Sequence, residues 1–488
     1  MTATLGARPH TITEVRIVGA PNAEAVDVSL EGGAIAAITP AGEQAPAGEV
    51  LAGEGAYLSP GLWDAHVHFG QWAATFTRLD LSGASDARAC ARLLAAEADS
   101  NPPPRSGAVI GMSYRGALWD PAPTTSLLDE ETGEVPVIAI SADYHSAWLN
   151  SAAQRLFDLP WREEPVQETE WFDLLPRIDA LPAADPDAGL RAALADAASR
   201  GVVGITDVDF APNFDTWPER VARGLNALHV RTGFYAGDLE TVIARGLATG
   251  NELTADGQVR LGPLKIISDG SLNTKTAYCF DPYPGGGHGV LSVPPDELER
   301  LARRAHEHGI ALAIHAIGDH ANALALDVFA ATGATGSIEH AQLIRRSDIH
   351  RMAELGVTAS IQPAHLLDDR EVAHELWPGK TPYQFTTLSK AGVTLALGSD
   401  APVAPLDPWL AIAAAVGRGE PAWQPAERMS PASALFSSVA GAGRPRVGSP
   451  ADLALLAADP LAPGITAAAL REMSVRATLR AGEVTFAA

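Results

Sequence analysis

Lysine is almost missing from this chain. Of its 35 basic residues only four are lysine, Lys265, Lys275, Lys380 and Lys390, so arginine carries nearly all of the positive charge. Basic residues of both kinds are outnumbered by 59 acidic ones, which gives a net charge of −24. A surface this acidic repels phosphate backbones and anionic lipid, and so argues against nucleic acid or a membrane as a partner. Cysteine is scarce too. Cys90 and Cys279 stand far apart and match no zinc-ribbon or Cys-x-x-Cys spacing, so free thiols in a reducing cytoplasm are expected. No apolar run approaches the ~18 residues of a membrane span, and the stretch Met1 to His10 has no apolar core that would act as a signal peptide. The expected location is cytoplasmic, the expected partner is a small-molecule substrate, and a homodimer is left open.

What is present is a chain of 488 residues, 47% hydrophobic and 19% charged. That is long enough for one large α/β domain of about 250–400 residues and a smaller one. Short alternating segments such as Glu14 to Val18, Val26 to Leu30 and Ala34 to Ile38 at one end, and Asp452 to Leu456 and Ser474 to Leu479 at the other, read as strands. Neither end buries a sheet face alone, so residues 1–58 with 432–488 are expected to form one composite β-sandwich. Residues 59–431 alternate strands with helical stretches, and eight strands are predicted: 62–67, 202–208, 229–235, 261–267, 311–314, 336–339, 357–361 and 393–398. The fold class is therefore α/β, a (β/α)₈ TIM barrel, whose chemistry sits at the C-terminal strand ends. The Pro-rich stretch at about 105–185 breaks the alternation and carries Trp119, Trp148, Trp161 and Trp171, four of the ten tryptophans. It is expected to be a lid-like insertion.

Polar residues recur at the strand ends. His66 and His68 are two apart on the first strand, so both imidazoles point to one side, as the first two ligands of a divalent metal must. Lys265 lies in the fourth strand, and His315, His340 and Asp400 follow the fifth, sixth and eighth. Taken singly, each has an ordinary reading: a buried histidine, a turn aspartate, a lysine paired with a carboxylate. Six of them at the same topological position are hard to obtain from independent accidents.

The motifs Ser59-Pro-Gly-Leu-Trp-Asp-Ala-His-Val-His68, Asp143-Tyr-His-Ser-Ala-Trp-Leu-Asn150, Lys265-Ile-Ile-Ser-Asp-Gly-Ser-Leu272, His315-Ala-Ile-Gly-Asp319, Ile338-Glu-His340, Gln362-Pro-Ala-His365, Gly398-Ser-Asp-Ala-Pro402 and Gly448-Ser-Pro-Ala-Asp-Leu453 resemble the amidohydrolase superfamily. They are most similar to its amidohydrolase family 3 branch, which includes N-substituted formamide deformylases. The chain departs from the family's Gly-Ser-Arg-Thr-Ala with Asn273-Thr-Lys-Thr-Ala277, a difference that bears on substrate contacts and not on metal ligands.

The resemblance implies a metal-dependent hydrolase of a non-peptide carbon–nitrogen bond in a small, apolar or aromatic substrate. The implied cofactor is one or two divalent metals, zinc first. His66, His68 and Asp400 would hold one, His315 and His340 the second, with Lys265 bridging them. An ammonium beside two cations is disfavoured, but a neutral lysine that adds CO₂ becomes an anion able to bridge them, which arginine cannot do. Water activated to hydroxide attacks, and Asp400 acts as general base and then acid. His145, His365, Trp119 and Trp148 are expected to contact substrate, and Asp64, Glu339 and Asp319 to orient histidines. Two other readings stay open: a mononuclear deaminase of a heterocycle, and a non-catalytic binding protein on the same fold.

Overall fold

The computed structural model describes residues 4–20, 24–104, 106–116, 119–142, 144, 146–181 and 185–488. Two compact units account for them, one made of Met1–Phe69 with Leu194–Ala488 and one of Gly70–Ala193.

In the first unit, eight parallel strands run side by side in chain order: Leu62–Val67, Val202–Asp207, His229–Tyr235, Val259–Ile267, Leu312–Ala316, Gly336–His340, Thr358–Ile361 and Leu395–Leu397. The ring closes where the first strand meets the chain after the eighth. There Asp400 N–H donates to the His66 carbonyl at 2.7 Å and His68 N–H to the Ala401 carbonyl at 2.9 Å. The expected TIM barrel is thus present, with strand ends shifted by a few residues. Between strands the sequence switches to the helical period. In Pro295–His306 the buried Leu298, Leu301, Ala302 and Ala305 form one face, proline opens the helix, and Glu297–Arg300 and Glu299–Arg303 pairs lie outside. Asp319–Thr332 stops at Gly333, whose φ of 68° suits the left-handed cap.

Both termini contribute to one mixed sheet. The strand Tyr57–Pro60 pairs antiparallel with Leu453–Leu456, Leu58 opposite Leu455. Thr11–Ile17 belongs to both halves of the sheet, pairing with Val50–Ala52 early and with Tyr57–Pro60 late. Ile12, Val28, Ile35, Leu58, Leu453 and Leu479 meet in a single apolar core, which neither terminus fills alone.

The second unit has a five-stranded sheet of its own, in the order Val166–Gln167, Ser146–Leu149, Val137–Ser141, Val109–Tyr114, Leu79–Asp80. Both of its faces are covered. Val137 and Ala139 join a core with Cys90, Leu94 and Trp148, while Ile138 and Ile140 join another with Leu149, Trp171 and Leu174. Two buried faces erase the polar alternation that marks a strand in sequence. Among the described residues, no helix is long and apolar enough to cross a membrane.

Candidate metal centre

The barrel brings the strand-end residues together. Asp400 Oδ1 lies 3.4 Å from both His66 Nε2 and His68 Nε2, and Asp400 Oδ2 lies 3.9 Å from His365 Nε2. A zinc ion with ~2.1 Å bonds in tetrahedral geometry has ligand–ligand edges of about 3.4 Å, so the first two separations fit a metal of that size. Two overlapping sets each gather their ligand atoms within 4.8 Å: His66, His68, Asp400, and His340, His365, Asp400. The ring nitrogens His68 Nδ1, His340 Nδ1 and His365 Nε2 are buried without a hydrogen-bond partner among the described residues. Of these, His365 Nε2 lies beside Asp400, and an imidazole nitrogen without a partner next to a carboxylate is a donor pair that a divalent cation takes.

Lys265 is buried, and its Nζ sits 3.1 Å from His66 Nε2. His315 adjoins His340, their ring centroids 4.5 Å apart, but its Nε2 faces the Gly270 carbonyl at 3.4 Å and Asp269 Oδ1 at 3.4 Å. Of the six expected ligands, His66, His68, His340 and Asp400 fall in these two sets, while Lys265 and His315 adjoin them through His66 and His340.

The backbone is shaped for this. Gly398 brings the eighth strand so close to the first that a Cβ there would stand 2.7 Å from the His66 nitrogen. Asp64 spans the same seam, accepting from the backbone N–H of His66 and of Ser399 at 3.0 Å each. His340 and Asp400 hold φ values of 72° and 58°, a left-handed conformation that costs an L-residue about 1–3 kcal/mol and persists where the surroundings impose it.

Electrostatics follow from burial. It pushes His315 down to about 3, and His66 and His340 down also, with Lys265 adding to each. Burial thus favours the neutral imidazole at these three positions, the form that a metal ligand takes. Burial also lowers the Lys265 ammonium, against the pull of Glu339 and Asp400. Asp400 is buried, which would raise it, yet His66, His68 and His340 hold it well below the usual carboxylate range. Glu339, likewise buried, is held at about 2 by His66, Lys265 and Ser337.

Of the three carboxylates expected to orient histidines, Glu339 does so directly, with Oε2 2.5 Å from His66 Nδ1. Asp64 positions His66 through the backbone instead. Asp319 orients no histidine: it accepts from the Phe280 N–H and lies 3.7 Å from Lys380 Nζ, because it opens a helix and points along the rim loop. The carboxylate beside His315 is Asp269, which also takes the N–H groups of Ile317, Gly318 and Tyr278. Burial raises Asp269 to about 7. Its position in the Asp-Gly-Ser-Leu segment was the available signal.

The expected substrate contacts divide. His365 is in the cluster. His145 lies outside the described residues. Trp119 packs against the second unit's core, its ring 5.6 Å from that of Tyr114. Trp148 is a core residue, not a ligand contact. It is fully buried, and its indole N–H donates to the Thr124 carbonyl at 2.9 Å, so it has no surface left to offer. Sequence reasoning missed Phe210, which stacks on His68 with ring centroids 5.5 Å apart.

An eight-stranded parallel barrel with a histidine–aspartate cluster at its C-terminal strand ends defines the class, a metal-dependent hydrolase barrel. The profile of the amidohydrolase family matches residues 49–486, and the chain belongs to that family. It is 29% identical over 438 residues to Protein LONG AFTER FAR-RED 3 of Arabidopsis thaliana, across 80% of this chain and 74% of that protein. It is 26% identical over 466 residues to N-substituted formamide deformylase of Arthrobacter pascens, across 83% of each. The crystal structure of an uncharacterized metal-dependent hydrolase from Pyrococcus horikoshii OT3 shares the fold, with a TM-score of 0.79 at 23% identity over 94% of this chain and 99% of that one.

Proposed function

We propose that this hydrolase cleaves a non-peptide carbon–nitrogen bond of the amide type in a small, apolar or aromatic substrate. The observation that carries the reading is Asp400, a buried carboxylate whose two oxygens face His66 and His68 on one side and His365 on the other. The relative named N-substituted formamide deformylase supports an amide-type bond as the target.

A divalent metal of zinc's size, held by these donors, would supply a Lewis acid for a carbonyl and lower water's pKa from 15.7 towards about 7. His66, His68 and Asp400 would hold one ion, and a second would draw on His340 with His315 beside it. Asp400 takes the proton from the attacking water and gives it to the leaving nitrogen, which departs as a neutral amine. Glu339 keeps His66 in the tautomer whose Nε2 is free to ligate. Lys265 would supply an anionic group between the ions. Its amine nitrogen bonds to the carbon of CO₂, one N–H proton leaves to solvent, and the product carries a single negative charge.

One observation favours a mononuclear site instead, and with it the deamination of a heterocycle. Lys265 Nζ stands at hydrogen-bond distance from His66 Nε2, the nitrogen that a metal would claim. Zinc titration of the metal-free protein with and without bicarbonate, followed by assay on N-substituted formamides and on amino-heterocycles, separates the two. Two zinc ions taken up only with bicarbonate, and acid plus amine released from formamides, are expected. One zinc regardless of bicarbonate, with ammonia released from the heterocycles, would replace this reading.

A further inference from the structure

We propose that Phe210 selects the substrate by receiving a flat apolar substituent, in particular an aryl group, beside the metal ligand His68. The inference rests on the hydrolase reading above and names the substrate class for that site.

Large apolar side chains exposed singly on a protein surface need no explanation. Phe210 differs in where it stands. Half of its surface is open, and its ring lies against two others: the His68 ring is 5.5 Å away at an interplanar angle of 22°, and the Tyr235 ring 4.8 Å away at 18°. Tyr235 is fixed in turn, its hydroxyl donating to the Val208 carbonyl at 2.9 Å. The open part of the phenyl ring therefore adjoins an imidazole that the site uses to hold metal.

The turn that carries Phe210 is built to keep it there. Phe210 N–H donates to Asp209 Oδ1 at 2.8 Å, and Asp209 N–H to Asp207 Oδ1 at 3.0 Å. Asp207, fully buried at the end of the second barrel strand, also accepts from Phe69 N–H at 3.1 Å and from the Trp217 indole at 2.7 Å. A side chain held at both its backbone and its ring loses little freedom when a ligand arrives, which favours binding. An aryl group set edge-on or offset against phenylalanine gains about 0.5–1.5 kcal/mol beyond its buried area, whereas a methyl group gains only the area. Phe210 touches what it selects and takes no part in proton transfer.

Small metal chelators read this preference without turnover. Acetohydroxamate, benzohydroxamate and N-formyl-N-phenylhydroxylamine present the same chelating atoms with no aryl group, an aryl on carbon and an aryl on nitrogen. Calorimetry on the zinc-loaded protein is expected to show one of the aryl probes bound at least about tenfold more tightly than acetohydroxamate. That preference should fall by about tenfold in Phe210→Ala and survive in part in Phe210→Leu, with zinc content unchanged in both. Binding of all three probes with no aryl preference, or a preference that Phe210→Ala leaves intact, would overturn the assignment while leaving the hydrolase reading in place. Loss of zinc from both variants would make Phe210 a prop for His68 and also overturn it. Failure of all three chelators to bind the wild type would overturn both readings together.

Discussion

Glu339 and His66, 273 residues apart in the chain, meet at 2.5 Å through Oε2 and Nδ1, and Ser337 Oγ donates to the other carboxylate oxygen. The contact turns Nε2 of His66 towards Asp400, so Glu339 acts on the metal centre through a histidine. Removing such a partner costs about 10–100-fold in metal affinity. Glu339→Gln is expected to lose zinc within that range in a competition titration, with an unchanged circular dichroism spectrum. Full retention of affinity would leave Glu339 with a packing role only.

Lys265 and Asp400 should fail in different ways. Lys265→Ala removes the group proposed to bridge, so zinc per chain is expected to drop, and acetate at high concentration to restore part of it. Lys265→Arg should not rescue, since a guanidinium stays protonated and takes up no CO₂. Asp400→Asn keeps an oxygen in place but accepts no proton. Its zinc content is expected to remain largely intact while kcat falls by about 10²–10⁴. Metal analysis alongside steady-state kinetics on the three variants checks this, and equal activity in Lys265→Arg and wild type would remove the carboxylated lysine.

Both cysteines are expected to be inert in the folded protein. Burial pushes the Cys90 thiol up to about 12 and that of Cys279 to about 11, from an ordinary value of 9.0. A thiol raised in this way keeps its proton in the fold while the unfolded chain ionises. The fold therefore loses stability as pH climbs from about 9 towards these values, and nothing is lost below that window. Iodoacetamide at pH 8 should label neither thiol until denaturant is added. Rapid labelling of the native protein would contradict the burial.

Trp148 is expected to matter for stability and not for ligand choice. Trp148→Ala empties part of the core formed with Leu94, Leu128 and Val137, a loss of about 3–5 kcal/mol. Urea denaturation followed by a probe in residues 70–193 measures it. Zinc content should stay at the wild-type level.

The barrel strands were legible because each is a short apolar run bounded by polar residues, and the candidate ligands were legible because His66, His68, His315, His340 and Asp400 interrupt or end those runs. Val137–Ser141 was not legible, since every one of its residues is buried and no alternation survives. Trp148 was read as a ligand contact because it lies in the stretch expected to form a lid. Nothing local distinguishes a tryptophan that lines a site from one that fills a core.

Local chemistry alone thus determined where this chain extends, where it coils and which side chains end its strands, because backbone period and side-chain type act over a few residues. Tertiary structure decided the rest: that Glu339 and not Asp319 orients a ligand histidine, that Asp269 stands behind His315, that Gly398 lets the eighth strand reach the first, and that Phe210 lies on His68. These are contacts between strand ends up to several hundred residues apart. Closing the barrel selects them by geometry, and no sequence period encodes which end will face which.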